Sequence, residues 1–222
     1  RTTAPGATVD LTVNMLAPTN NGKYRGYWIL SNAAGKLFGI GTDASKPIWV
    51  EVNVSGASPT AGGYNFVANA CSAQWKSGAG ILPCPGTDGN LKGYAIPWNS
   101  NQMEDGNMGP APSLLVAPEL KYNGYLQGIY PLFTVLPGDH FRGSMGCAYG
   151  SNCYVTFRLD YMTTNGTIKT FATWRERNDK LNHSVDVNLA PLAGQNVRFI
   201  LTLLATGSAT NDKGTWIAPY IQ

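Results

Sequence analysis

Tyr154-Val155-Thr156-Phe157-Arg158-Leu159-Asp160-Tyr161 is the stretch that decides the fold. Val155, Phe157, Leu159 and Tyr161 fall on one side of it; Tyr154, Thr156, Arg158 and Asp160 fall on the other. A period of two is the pattern of a strand with one buried face. Thr163-Thr164-Asn165-Gly166 follows, and Asn-Gly is the favoured pair for reversing a chain between antiparallel strands. The reading is therefore a hairpin, with strands over Cys153–Thr163 and Thr167–Arg177. Two further strands are expected at Ser184–Leu189 and Asn196–Ala205, the tight connection Ala190-Pro191-Leu192-Ala193-Gly194-Gln195 lying between them. Upstream, Pro, Gly and Asn clusters punctuate Pro83 to Gly124. Long helical periodicity and internal repeats are absent.

The N-terminal quarter shows the same alternation on a smaller scale. Over Thr8–Met15, Val9, Leu11, Val13 and Met15 face one way and Thr8, Asp10, Thr12 and Asn14 the other. Strands are also expected near Tyr24–Ser31, Lys36–Ile40 and Ile48–Val54. An immunoglobulin-type sandwich needs about seven strands in roughly 100 residues. Four strands leave a face carrying Trp28, Leu30, Ile48 and Val50 to be covered, at roughly 25 cal/mol per Å² of apolar surface. The small-residue run from Ser55 to Gly63 reads as a linker. The expected organisation is a first unit over residues 1–56, a linker over 57–63 and a second unit over 64–222.

Two resemblances sharpen this. Pro5-Gly6, Ala17-Pro18, the block Gly22-Lys23-Tyr24-Arg25-Gly26-Tyr27-Trp28-Ile29-Leu30, then Gly35–Gly41 and Pro47–Val52 resemble one known domain. It is the second half of the four-tryptophan immunoglobulin-like domain, known from selective-autophagy receptors and secreted bacterial multidomain proteins. The resemblance makes Trp28 and Trp49 the third and fourth tryptophans. At the other end, Val185–Leu189, Leu192–Leu201 and Trp216-Ile217-Ala218-Pro219 resemble the final strands of jelly-roll sandwiches in secreted carbohydrate-binding modules. The segment from Tyr64 onward also resembles an uncharacterised module that follows the four-tryptophan domain in some bacterial surface proteins. The implied fold class is all-β: a partial immunoglobulin-like sandwich followed by a larger jelly-roll-like β-sandwich.

Composition points outside the cell. Only 13% of the 222 residues are charged, against about 25% in an average globular protein. The net charge is +3, and the densest basic stretch, Arg175-Glu176-Arg177, is broken by an acid. Nucleic-acid binding has no electrostatic footprint here. No apolar run reaches the about 18 residues of a membrane span. The start at Arg1 reads as a processed product. Cys71, Cys84, Cys147 and Cys153 pair by proximity as Cys71–Cys84 and Cys147–Cys153, one of the three connectivities four cysteines allow. The competing reading is zinc, which lacks both a C-x-x-C spacing and an adjacent His. Disulfides fit a secreted or cell-surface protein.

No catalytic residue is expected. His140 sits beside Asp139 in what reads as a solvated Pro-Gly turn. His183-Ser184-Val185-Asp186 holds a base, a nucleophile and an acid, but residues at those offsets in a strand point to different faces. Glu104 with Asp105, and Glu176 with Asp179, are candidate carboxylate pairs for glycoside hydrolysis, but both read as turn-like or exposed. No cofactor is required. Asp88, Asn90, Asp105 and Asn107 lie in oxygen-rich loops that could take structural calcium, without the spacing of a calcium loop.

Binding is better supported. The aromatics Trp98, Tyr122, Tyr125, Tyr130, Tyr149, Tyr154 and Trp174 exceed what a core needs. If a polysaccharide is bound, the expected stacking contacts are Trp98, Tyr122, Tyr125 and Tyr149, in loop-rich stretches. Two functions follow. The first is a structural or adhesive surface protein that associates with other copies of itself, filaments included, through Val9, Leu11, Val13, Trp28 and Val50 on the incomplete sandwich. The alternative is a carbohydrate-binding module of a secreted polysaccharide-acting protein.

Overall fold

The computed structural model describes residues 4, 6–10, 12–13, 22–54, 63–98, 102–108 and 112–222. The chain divides into two compact units, Arg1–Gly56 and Ala57–Gln222. Residues 55–62, where the linker was read, lie outside the described residues.

The first unit is built on a two-stranded ribbon, β1 (Gly22–Trp28) against β4 (Ile48–Val54), with a short pair of β2 (Leu30–Ser31) and β3 (Leu37–Phe38) beside it in sequence. Pairing sets Arg25 opposite Glu51 and Tyr27 opposite Trp49, so one face carries an ion pair and an Arg25 guanidinium 4.3 Å from the Trp49 ring. On the other face the Trp28 indole folds back over Gly26, where a Cβ would lie 2.2 Å from its Cη2. That contact leaves Trp28 half-buried; Val50 stays exposed. The strand expected over Thr8–Met15 is not formed at residues 8–10 and 12–13, where no ladder partner is present, and Val9 and Val13 are exposed. Leu11 lies outside the described residues. The expected Lys36–Ile40 strand shortens to Leu37–Phe38, because Ile40 turns away to bridge Lys46.

The second unit is a sandwich of antiparallel strands. They are β5 (Tyr64–Asn65), β6 (Gln74–Ser77), β7 (Gly80–Ile81), β8 (Tyr94–Trp98), β9 (Ser113–Ala117), β10 (Tyr125–Thr134), β11 (His140–Cys147), β12 (Tyr154–Thr163), β13 (Ile168–Arg177), β14 (His183–Asn188), β15 (Asn196–Ala205) and β16 (Gly214–Ile221). One sheet runs β13-β12-β15-β10-β6-β7; the other runs β14-β11-β16-β9-β8, with β5 alongside β16. From β10 to β12, and again from β13 to β16, each connection carries the chain to the opposite sheet. That alternation makes the sandwich jelly-roll-like, and the chain is all-β.

Both inner faces share one core. Val155, Phe157 and Leu159 from β12 are fully buried, as the alternation of the strand requires. Phe157 meets Trp216 of the opposite sheet edge to face, ring centroids 4.9 Å apart. Trp75 is buried, lies across Gly128 of β10 and donates its Nε1–H to the Ala70 carbonyl at 2.8 Å. Asp160 keeps the phase of Arg158, as the alternation requires, yet is buried: its Oδ2 accepts from Arg158 and from the Thr202 hydroxyl of β15. The β12–β13 register slips beside it, between Leu159 and Asp160. The disulfides are Cys71–Cys84 and Cys147–Cys153. The second closes the loop between β11 and β12.

Candidate functional site

The end of β13 sets the site. Trp174 and Glu176 share the inward phase of the strand, while Arg175 and Arg177 are exposed. A carboxylate on the inward phase should be rare, because burial penalises its charged form. Glu176 is 2% exposed, and neither of its oxygens has a hydrogen-bond partner. Burial pushes its carboxyl up to about 7; the neighbouring Glu104 and Asp179 add to the rise, and His183 opposes it.

After β13 the chain crosses to the other sheet through residues 178–182 and enters β14 at His183. Several bonds hold this crossing. Asn178 donates its backbone N–H to the Cys153 carbonyl and its side-chain amide to Ser151 O at 2.6 Å. Asp179 Oδ1 accepts the Leu181 N–H at 3.0 Å, an Asx turn. Lys180 sits at φ +68°, a left-handed conformation that costs a non-glycine residue roughly 1 kcal/mol or more. Its N–H reaches Glu104 Oε1 at 2.6 Å.

Glu104 comes from the turn before β9, is 1% exposed, and also accepts the Cys147 N–H at 2.8 Å through Oε2. It is thus a satisfied buried carboxylate placed behind an unsatisfied one. His183 Nε2 lies 3.4 Å from Glu176 Oε2 and 3.7 Å from Asp179 Oδ2. Asn182 Oδ1 is a further buried acceptor without a partner.

These groups open into a cleft of about 280 Å³ lined by Tyr154, Arg175, Glu176, Arg177, Asp179 and His183. That is close to the lower end of the ~300–1,000 Å³ usual for ligand pockets. Tyr154 begins β12 opposite Arg177, and its N–H is fixed by Asp212 Oδ1 at 2.8 Å. Its ring is 45% exposed.

The sequence candidates distribute as follows. Glu104, Glu176, Asp179 and His183 converge; Asp105 does not, being an exposed residue bonded to Asn107. Glu104 does lie in a turn, but neither it nor Glu176 is exposed: long-range packing buries both. Asp186 is turned away from His183 and pairs with His140 Nδ1 at 2.5 Å and with Arg142, so the His183-Ser184-Asp186 grouping assembles nothing. His140 starts β11 and is not in a solvated turn, because β14 pairs with it there. Asp88 is no calcium ligand as placed: Lys213 Nζ lies 2.8 Å from it and the Tyr94 hydroxyl donates to it. Trp98 is half-buried at the end of β8, Tyr125 half-buried at the start of β10, Tyr122 76% exposed near Gly207, and Tyr149 exposed near Gly106. Among the described residues these four form no ring contact with one another. Tyr149 stands on the disulfide-closed loop whose first residue binds Glu104. Tyr154 was noted among the surplus aromatics; Arg175 and Arg177 were read only as charge. The missed signal was Glu176 itself, an acid in phase with Trp174.

Comparison with known proteins adds two findings. Residues 1–54 match a family model described as "Ig-like domain from next to BRCA1 gene". A search of curated protein sequences finds no match. Among solved structures, the chain is similar to TmCBM61 in complex with β-1,4-galactotriose, at 10% identity and TM-score 0.44, covering 71% of this chain and 93% of that one. It is similar to CBM51 from Clostridium perfringens GH95 in complex with methyl-galactose, at 15% identity and TM-score 0.45, covering 72% and 99%. It is also similar to the family 11 carbohydrate-binding module from Clostridium thermocellum in complex with a β-1,3-1,4-mixed-linked tetrasaccharide, at 10% identity and TM-score 0.39, covering 68% and 88%.

Proposed function

We propose that this protein is a non-catalytic, secreted carbohydrate-binding protein whose second unit holds a sugar in the cleft at the β13–β14 crossing. The observation that carries this reading is the cleft's lining: one half-exposed aromatic ring, Tyr154, between two guanidinium groups and a carboxylate. An aromatic face covers the apolar face of a pyranose, and Arg175, Arg177 and Asp179 offer donors and acceptors for its hydroxyls. The size suits a single ring or a chain end rather than several sugars in a row. Hydrolysis fits the cleft poorly. Glycosidases set two carboxyl groups roughly 5–10 Å apart on either side of the bond, whereas the cleft's own pair, Glu176 and Asp179, has carboxylate oxygens within 4.8 Å of one another, and Glu176 is buried. Two disulfides support an extracellular setting.

Self-association through the first unit has less behind it. Of its five expected residues, Trp28 is folded over Gly26, and the segment bearing Val9 and Val13 forms no strand there to extend. The test is affinity electrophoresis of the full chain through gels containing galactan, xylan, mixed-linked glucan or cellulose derivatives. Retardation by at least one glycan is expected, with Tyr154→Ala weakening it by about fivefold to thirtyfold, the value of an aromatic contact of ~1–2 kcal/mol. Free migration in every gel, or retardation unchanged in Tyr154→Ala and Arg175→Ala, would refute the assignment.

A further inference from the structure

We propose that Glu176, Asp179 and His183 form a binding site for a divalent transition-metal cation of the zinc or manganese kind, with an open coordination position facing the cleft. Three ligand atoms, one imidazole nitrogen and two carboxylate oxygens, lie within 4.8 Å of one another. Their spacing is informative. The 3.4 Å from His183 Nε2 to Glu176 Oε2 and the 3.7 Å to Asp179 Oδ2 exceed the ~2.7–2.9 Å of a charge-assisted hydrogen bond. They are close to the about 3.3 Å edge of a tetrahedron drawn on ~2.0 Å metal–ligand bonds. Both carboxylates thus stand within ion-pair reach of the imidazole but beyond hydrogen-bond length, the spacing that ligands of one ion adopt.

A second observation is independent of that clustering. Glu176 is almost wholly buried, yet both its oxygens lack a hydrogen-bond donor. Buried carboxylates are normally paired, hydrogen-bonded or metal-bound, and the nearest buried acid, Glu104, is occupied by the Cys147 and Lys180 N–H groups. The surroundings are fixed as a ligand shell requires. Asp179 Oδ1 is held by the Leu181 N–H, which leaves Oδ2 for an ion, and the crossing is pinned through Lys180 to Glu104. A mixed nitrogen and oxygen donor set suits zinc or manganese, while calcium takes oxygen ligands. Cys147 lies close to Glu104 and Glu176, but its sulfur is in the disulfide and offers no thiolate. His183 is 43% exposed, so water or a ligand hydroxyl can reach the remaining position.

The test uses the full chain, stripped with chelator and dialysed, and titrated calorimetrically with zinc, manganese or calcium chloride, with thermal melts in parallel. No sugar is present, so the outcome is independent of glycan binding. We expect one zinc or manganese ion per chain and a raised melting temperature, with calcium giving neither. His183→Ala and Asp179→Ala should each weaken binding by about tenfold or more, and His140→Ala, at the chain's other histidine, should bind as the parent does. Glu176→Gln should bind weakly while its metal-free form melts no lower than the parent, which separates lost ligation from lost folding. No zinc or manganese binding at millimolar metal would overturn the proposal. So would binding unchanged in His183→Ala and Asp179→Ala, binding lost in His140→Ala, or calcium binding indifferent to His183→Ala.

Discussion

At the scale of single residues, Asp88 shows how a distant partner changes what a side chain is for. In the sequence it belongs to an oxygen-rich loop with Asn90. In the fold it receives the Lys213 ammonium at 2.8 Å and the hydroxyl of the buried Tyr94, and these two, in that order, hold its carboxyl below the ordinary 3.8. A carboxyl whose value is lower in the folded chain stabilises the fold above its ordinary value. That contribution is lost as pH falls through the lower, folded value. Asp88→Asn is therefore expected to melt below the parent at pH 7 by the equivalent of about 1 kcal/mol, the half-exposed Lys213 pair adding little. The gap should narrow as pH falls below the ordinary 3.8 and close once the lower, folded value is passed. A gap that stays constant from pH 7 to pH 2.5 would assign the loss to packing. Nothing in the local spacing of Asp88 announces Lys213, just as nothing near Glu104 announces Glu176. Each pair is made by strands remote in sequence, so a reading residue by residue names the acids and misses which of them meet.

At the scale of elements, the legible parts are those whose information is local. The β12–β13 hairpin follows from its alternation and its Asn-Gly turn, and it forms as expected at Tyr154–Thr163 and Ile168–Arg177. The burial of Asp160 was not legible, since its partner Thr202 lies on β15, forty-two residues away, and the slip beside it leaves no mark on the pattern of β12. The Thr8–Met15 alternation misled for the complementary reason: a period of two supplies a face but no ladder partner. The crossing between β13 and β14 carries Asp179 and ends at His183, yet in sequence it is an ordinary polar loop. Close approach between elements is also set by single small residues. Trp75 of β6 lies flat on Gly128 of β10, where an added Cβ would stand 2.5 Å from the indole Cη2. Gly128→Ala should cost about 1–3 kcal/mol, as overpacking of a filled core does, and lower the melting temperature with the disulfides intact. A variant that melts with the parent would show that the indole can shift at no cost.

At the scale of the whole molecule, the second unit contains what an independent domain needs: two sheets, a main core drawn from both inner faces with a smaller cluster around Tyr94 and Leu115, and both disulfides. Residues 63–222 produced alone should unfold in one cooperative transition and keep the glycan retardation of the full chain. A broad, non-cooperative melt would mean that the first unit supplies part of the fold. The boundary between a smaller N-terminal and a larger C-terminal β unit is read in the sequence from the small-residue run that begins at Ser55. The cleft of the second unit was less legible, because it exists only where the start of β12 meets the β13–β14 crossing. Its position has a mechanical corollary. Residues 178–182 are the strap by which the chain leaves one sheet for the other, and they hang from Glu104, Ser151 and Cys153. Tension that peels the β12–β13 hairpin from the sandwich loads this strap together with the β12–β15 ladder. Whatever sits between Glu176 and His183 then works as a rivet through the seam, so grip on a ligand and resistance to tearing rise together.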